Sequence, residues 1–182
     1  MANQYKGEIK GEFGGKERTF RLTFDGIVNI ENRTGKSIMD ITNSLGASNY
    51  SMKDIVIVMH EALQGAGGKF IQSAVGDMLM QTGMIKGAVF MFWSINDTIH
   101  RWEKRRRFPF STGGERATRY PIQQYLEIGL GVLRFSPKVF WDLSITEFMS
   151  ALNGHHLKYG KNKTNNPLLK NEMEDLMRQF PD

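Results

Sequence analysis

Residues 121–154 read PIQQYLEIGLGVLRFSPKVFWDLSITEFMSALNG, and the order of signals in this stretch decides the fold class. Pro121 suits the first turn of a helix, where its missing N–H is not needed. Ile122, Tyr125, Leu126, Gly129, Leu130 and Leu133 come at three- and four-residue spacing and share one face. Ile128 and Val132 widen the stripe, while Gln124, Glu127 and Arg134 keep the other side polar. Gly129 costs the helix on the order of 1 kcal/mol against Ala, so its presence points to a close approach by another backbone. Ser136-Pro137 restarts the chain as N-cap and first helical residue of a short turn holding Phe140 and Trp141. Ser144-Ile145-Thr146-Glu147 has the form of a capping box. Ile145, Phe148, Met149 and Leu152 line the next helix, which Gly154 can end. No acid, base or nucleophile in the unit converges on a pocket; its chemistry is surface burial.

Length and composition set the frame around this unit. The 182 residues are 40% hydrophobic, enough for one domain or two small ones, and contain no cysteine. The absence of a disulfide framework or thiolate metal site fits a reducing cytoplasm. The N-terminus MANQYKGEIKGE lacks a signal-peptide apolar run, and the longest apolar block, residues 88–93, is too short to span a membrane. The net charge is +5. Residues 101–119 hold seven basic and two acidic side chains, and the remaining 17 bases balance 17 acids. The chain is neutral apart from one basic joint.

From the start, Tyr5, Ile9 and Phe13 alternate with polar residues, as do Phe20, Leu22 and Phe24, and Gly14-Gly15 between them is a two-residue hairpin turn. Pairing Phe13 with Lys16 sets Ile9 opposite Phe20 and Tyr5 opposite Phe24, with every apolar residue on one face. Helices are expected over 26–34, after Ser37, after Ser51 and over 70–79. A long helix comes after Gly83, with Ile85, Val89, Phe92, Ile95 and Ile99 as its seam. The expected fold is mainly α with an N-terminal β-hairpin (α+β). It divides into a hairpin-plus-helices domain over 1–105, a basic linker over 106–119, a small helical unit over 120–157, and a polar linker with a terminal amphipathic helix over 158–182. That last helix carries Leu169, Met173, Leu176, Met177 and Phe180 on one stripe.

These residues carry two family resemblances. The order of Pro121, Gly129 to Arg134, Ser136-Pro137, Phe140-Trp141, Glu147 and Ala151-Leu152 resembles a small family of tail assembly chaperones of phages and gene transfer agents. The Gly-Gly hairpin, LTFDGIVNIENRTG at 22–35, the Ser-x-x-Asp caps and the Gly-rich break at 65–68 are similar to gene-transfer-agent proteins described as tail assembly chaperones or tail tube proteins. This second likeness covers residues 4–82, and the Met-rich helix beyond departs from it. Long-tailed phages often join such a pair by frameshifting, and the joint at 108–114 is where a frameshift or fusion seam would lie.

The resemblance implies a tail assembly chaperone whose N-terminal domain coats hydrophobic segments of the tape measure protein and whose C-terminal unit recruits tail tube subunits. The place of action would be the cytoplasm of the bacterial host cell, with a homo-oligomer left open. A structural tail tube protein is the alternative, although a tube β-sandwich needs six or more strands and two are legible. A basic packaging factor that binds nucleic acid is the third. The RWEKRRR cluster at 101–107 can neutralise phosphates, but no recognition helix, stacking platform or zinc spacing accompanies it, so a solvated helix end explains it better. No G-x-S-x-G, phosphate loop or H-E-x-x-H occurs, so neither an enzyme nor a cofactor is expected. His155-His156 diverge on a helix and make no metal pair.

Candidate partner-binding residues are Met78, Met80, Met84, Phe90, Met91, Trp93 and Trp141. Methionine surfaces re-pack around varied apolar partners, although methionines also fill irregular cores. Phe90, Met91 and Trp93 point away from the expected seam and need a second burial partner: the rest of this domain, another copy of it, or a client. Side chains adjacent on one turn diverge by ~100°, so Phe140 is expected to pin the helices and Trp141 to project as an anchor.

Overall fold

The computed structural model describes residues 2–83, 85–90, 95 and 121–159. It is mainly helical with an N-terminal two-stranded antiparallel hairpin, as the patterning requires. Strands β1 (Glu8–Phe13) and β2 (Lys16–Arg21) pair in the expected register, with Phe13 opposite Lys16 and Ile9 opposite Phe20. Gly14 and Gly15 turn the chain with φ of 60° and 69°, both in the left-handed region that a two-residue hairpin turn demands. Phe13 and Phe20 are buried edge-to-face, 5.8 Å apart. The pairing of Tyr5 with Phe24 does not form. Residues Gln4–Lys6 make a 3-10 turn capped by Asn3, which leaves Tyr5 exposed, and Phe24 already opens a helix.

Helix α1 (Phe24–Thr34) begins two residues earlier than apolar spacing suggests, because the Thr23 hydroxyl accepts the Gly26 amide at 3.1 Å. Helix α2 (Ile38–Gly46) starts as expected, its Ser37 hydroxyl taking the Asp40 amide. Ser51 precedes α3 (Met52–Gly65) but makes no cap bond; Asp54 instead pairs with Lys36 at 2.7 Å. Helix α3 is the central element, packed on α1, β2 and α4. Its Ile55, Ile57, Met59 and Leu63 are almost fully buried with Ile27, Ile30 and Ile41. Glu61 on α3 is buried against Arg33 of α1 at 2.5 Å, a cross-helix pair that satisfies its charge.

Helix α4 (Gln72–Thr82) buries Val75 and Leu79, while Ile71 is exposed at its cap. The hairpin turn rests on it: Met78 crowds Gly14, and the Gly14 amide donates to the Thr82 hydroxyl at 2.8 Å. The helical residues 85–90 form α5, which leaves the first part of the expected seam, Ile85 and Val89, unburied, although the seam's Ile95 is buried. Ile85 and Val89 are 74% and 50% exposed, whereas Ala88 and Ile95 are buried. The cause is Gly87, whose missing Cβ lets a Leu79 methyl sit on the α5 backbone and turns that side inward.

Residues Ile122–Glu127 form α6, which passes into a π turn over Ile128–Val132 rather than continuing as α-helix. The Leu133 amide donates back to the Ile128 carbonyl at 2.9 Å. What approaches Gly129 is not a backbone but the Phe140 ring, 2.7 Å from where a Cβ would stand. The wider turn carries Val132 out to solvent and leaves Tyr125 and Gly129 buried. Helix α7 (Pro137–Asp142) has Ser136 as cap and Pro137 at its first position, as read from the sequence. Helix α8 (Ile145–Tyr159) runs past Gly154 instead of stopping there.

Residues Met1–Leu152 form one compact unit and Asn153–Asp182 a second. In the second, the His155 and Tyr159 rings lie 4.7 Å apart. The expected basic joint and terminal amphipathic helix lie outside the described residues.

Two glycines in helices make opposite predictions. A Cβ on Gly65 would collide with the Arg21 carbonyl oxygen, whereas one on Gly76 would meet open space. Gly65→Ala is expected to cost about 1–3 kcal/mol. Gly76→Ala is expected to stabilise by about 0.4–1 kcal/mol. Urea denaturation midpoints of the two variants check both signs.

Candidate functional site

The described residues join the first strands to the C-terminal helices through Arg21, the last residue of β2. Its Nη2 donates to Glu147 Oε2 at 2.6 Å and to the Asp142 carbonyl at 2.8 Å. Its Nη1 donates to the Gly65 carbonyl and its Nε to the Lys6 carbonyl, both at 3.2 Å. The guanidinium therefore fastens the end of α3, the end of α7 and the start of α8 to the hairpin. Glu147 is available because it closes the expected capping box. Its carboxylate takes the Ser144 amide at 3.0 Å, and the Ser144 hydroxyl takes the Glu147 amide at 3.2 Å. Backbone pairing continues the junction, with Thr23 bridged to Ser144 and the Phe24 amide donating to the Leu143 carbonyl at 3.0 Å.

Apolar contact completes it. Phe24 stacks on Phe140 with centroids 4.6 Å apart and meets Phe148 edge-on at 5.4 Å; Tyr125 closes the group, 5.4 Å from Phe148. All four rings are buried. Phe140 is thus the pin that the sequence indicates. Trp141 is only partly buried, edge-to-face with Phe140 at 5.1 Å, so part of its indole meets solvent.

The other candidate residues separate. Met80 is 65% exposed, near Ile85 and Val89 in the chain, which are also exposed. Met78 is partly buried under the hairpin turn. Phe90 does not stand apart from its own domain: its ring lies on Gly11 and packs against Phe20 at 4.9 Å. Met84, Met91 and Trp93 lie outside the described residues. Sequence reasoning missed Arg21, because strand alternation presents it as one more solvent-facing polar residue.

Arg21 also edges an open cleft of about 560 Å³ whose lining includes Lys6, Glu8, Asp25, Gln64 and Asp142. The lining mixes both charge signs. No three metal-ligating side chains converge among the described residues, and no described helix is long and apolar enough to cross a membrane.

Burial by itself would raise the Glu147 carboxyl, but the Ser144 amide and the Arg21 guanidinium more than offset it, and the group titrates below the ordinary glutamate range. A depressed folded value means that its stabilisation is complete above the unfolded value, about 4.3. The stabilisation drains away as pH falls through the lower folded value. Glu147→Ala is expected to lose about 2 kcal/mol at neutral pH and to flatten the acid limb of stability against pH. Chemical denaturation of both proteins between neutral and acid pH tests this.

Two comparisons with known families bear on this arrangement. Residues 6–92 match the family described as phage tail tube protein, GTA-gp10. Residues 121–182 match the family described as phage tail assembly chaperone protein, TAC. Comparison with curated proteins and with solved structures returns no match in either case. The families and their order agree with the resemblances carried by the motifs. The chain thus holds, in sequence, a segment similar to phage tail tube proteins and a segment similar to phage tail assembly chaperones, with Arg21 and Phe24 from the first packed on Glu147 and Phe140 from the second.

Proposed function

We propose that this protein is a tail assembly chaperone of a long-tailed phage or gene transfer agent, acting in the cytoplasm of the bacterial host. It holds hydrophobic segments of the tape measure protein and brings tail tube subunits to them. The observation that carries this reading is the pair of matched families on one chain, one of tube and one of chaperone type. Exposed Met80, with Ile85 and Val89, supplies apolar surface for a helical client. Met84, Met91 and Trp93 are proposed to belong to the same client face, Met78 and Phe90 to its edge, and Trp141 to the contact with the tube subunit. The chain is organised as modules over 1–105 and 120–157, separated by the basic linker 106–119 and followed by the tail 158–182. The C-terminal module buries Phe24 and caps the N-terminal one.

A structural tail tube protein is the second reading, favoured by the description attached to residues 6–92. The described residues hold one two-stranded sheet, which supports the chaperone over a tube β-sandwich. Circular dichroism separates the two, since a tube subunit gives a strand-dominated spectrum.

Co-expression with the tape measure and tube proteins is expected to yield a soluble, co-purifying complex; a tape measure protein that stays insoluble overturns the chaperone reading. Trp141→Ala is expected to weaken tube pull-down by roughly thirtyfold with little change in melting temperature. A large fall in melting temperature would make Trp141 a core residue instead. Residues 1–107 alone are expected to give a dispersed proton NMR spectrum with a lower melting temperature than the full chain, because Phe24 loses its cover.

A further inference from the structure

The outer edge of β1 is closed at both ends and open between them. In a hairpin with the two-residue turn Gly14-Gly15, Phe13, Gly11 and Ile9 exchange ladder bonds with Lys16, Arg18 and Phe20. The backbone N–H and C=O groups of Lys10 and Glu12 therefore point away from β2. On one side of them the Glu8 amide donates to the Asn3 carbonyl at 3.2 Å, and on the other the Gly14 amide donates to the Thr82 hydroxyl. The outward groups of Lys10 and Glu12 have no hydrogen-bond partner among the described residues. Such an edge is a template for one more strand. Side chains select which strand. Glu12 stands directly opposite Glu17, a like-charge pair that costs stability. Lys10 is bound to Glu17 at 2.9 Å, and Glu12 has no cation beside it among the described residues. Laying β1 antiparallel to a second β1, with the two-fold axis at Gly11, sets Lys10 of each chain opposite Glu12 of the other. Half-buried Ile9 then falls beside Phe13 of the second copy, and Gly11 puts no side chain between the strands. Sliding the pair by two residues sets Lys10 against Lys10 or Glu12 against Glu12, so charge admits one register.

We propose that the β1 edge binds the β1 edge of a second copy of this chain, Lys10 against Glu12 in both directions, so that two hairpins make one sheet across a two-fold axis. Each Lys10–Glu12 pair exchanges both of its backbone bonds and brings opposite charges together on the solvent face. The contact is short, so the dimer is weak and grows with protein concentration. The proposal stands apart from the identity of the clients, because both partners are this protein.

Charge exchange in the full-length chain tests it. Two K10E chains would meet carboxylate to carboxylate, and two E12K chains ammonium to ammonium, whereas one of each joins opposite charges at both positions. Sedimentation of the unaltered chain is expected to show a dimer that grows with concentration. Each variant alone is expected to dimerise about tenfold more weakly, and an equal mixture to regain the dimer as heterodimers in native mass spectrometry. An unaltered chain that stays monomeric overturns the proposal, as does a dimer that neither variant weakens or that the mixture fails to regain. Should either charge variant lose its fold, a cysteine pair decides. The chain has no cysteine of its own, and Cα atoms of a bond-exchanging pair lie about 5.5 Å apart, within disulfide reach. Lys10→Cys mixed with Glu12→Cys is expected to cross-link more than about tenfold faster than either alone, and equal rates overturn the proposal. Exchange protection of the Lys10 and Glu12 amides that appears only with co-expressed tail proteins would assign the edge to a client strand and overturn it too.

Discussion

A guanidinium group carries five N–H donors in a planar fork and cannot shed its charge, so burying one obliges the surrounding chain to bring acceptors to it. At Arg21 that obligation is met by three carbonyl oxygens and one carboxylate from four separated parts of the chain. Each acceptor is a chain terminus of some element, or close to one. Helix α3 has to finish where the Gly65 carbonyl is free, α7 has to finish near Asp142, and α8 has to begin with a carboxylate turned back. The close approach of the Arg21 backbone to Gly65 leaves no room for a side chain there. The net stabilisation from the ion pair itself is modest, but removing either partner leaves the other charge partly desolvated, and that is the larger cost.

Around this fastening the hairpin gains a stability that two strands lack in water. Its apolar face lies on α3, α4 and Phe90 of α5, and its turn is tied to Thr82. The Phe24, Phe140, Phe148 and Tyr125 rings then extend the same core into the C-terminal helices. The proposed chaperone role calls for a rigid body that displays apolar surface without collapsing on it. Here the buried rings supply the rigidity, while Met80, Ile85 and Val89 remain outside the core.

How much of this was legible in the sequence depends on how local each signal is. The Ser37, Ser136 and Ser144–Glu147 caps were readable because both partners lie within three residues, and the hairpin register because glycine pairs mark the turn and alternation marks the face. The Thr23 cap was missed because strand alternation runs through it. Ile95 of the expected seam is buried, but the exposure of Ile85 and Val89 was misread, because Ile and Val outweigh a glycine in any periodicity count and Gly87 decided the packing. Arg21 was invisible for a different reason: its acceptors are 15 to 126 positions away, and three are backbone atoms that carry no residue identity. Of the candidate client residues, Met80 and Trp141 stand where an apolar contact can be made, whereas Phe90 finds its second burial partner within its own domain, on Gly11 and Phe20.

The π turn at Ile128–Val132 has a consequence for chain length. A five-residue turn is an α-helix holding one surplus residue, and the surplus is taken up locally by the longer Leu133-to-Ile128 bond and by the Gly129 carbonyl accepting from Phe135 at 2.9 Å. Gly131 is exposed there, with no atom near its missing side chain. The segment is therefore a natural site of indel variation: loss of one residue near Gly131 restores ordinary helix and leaves the residues on either side in their register. Alignments of related units have reason to place a single-residue gap at this turn, upstream of the conformationally fixed Ser136-Pro137.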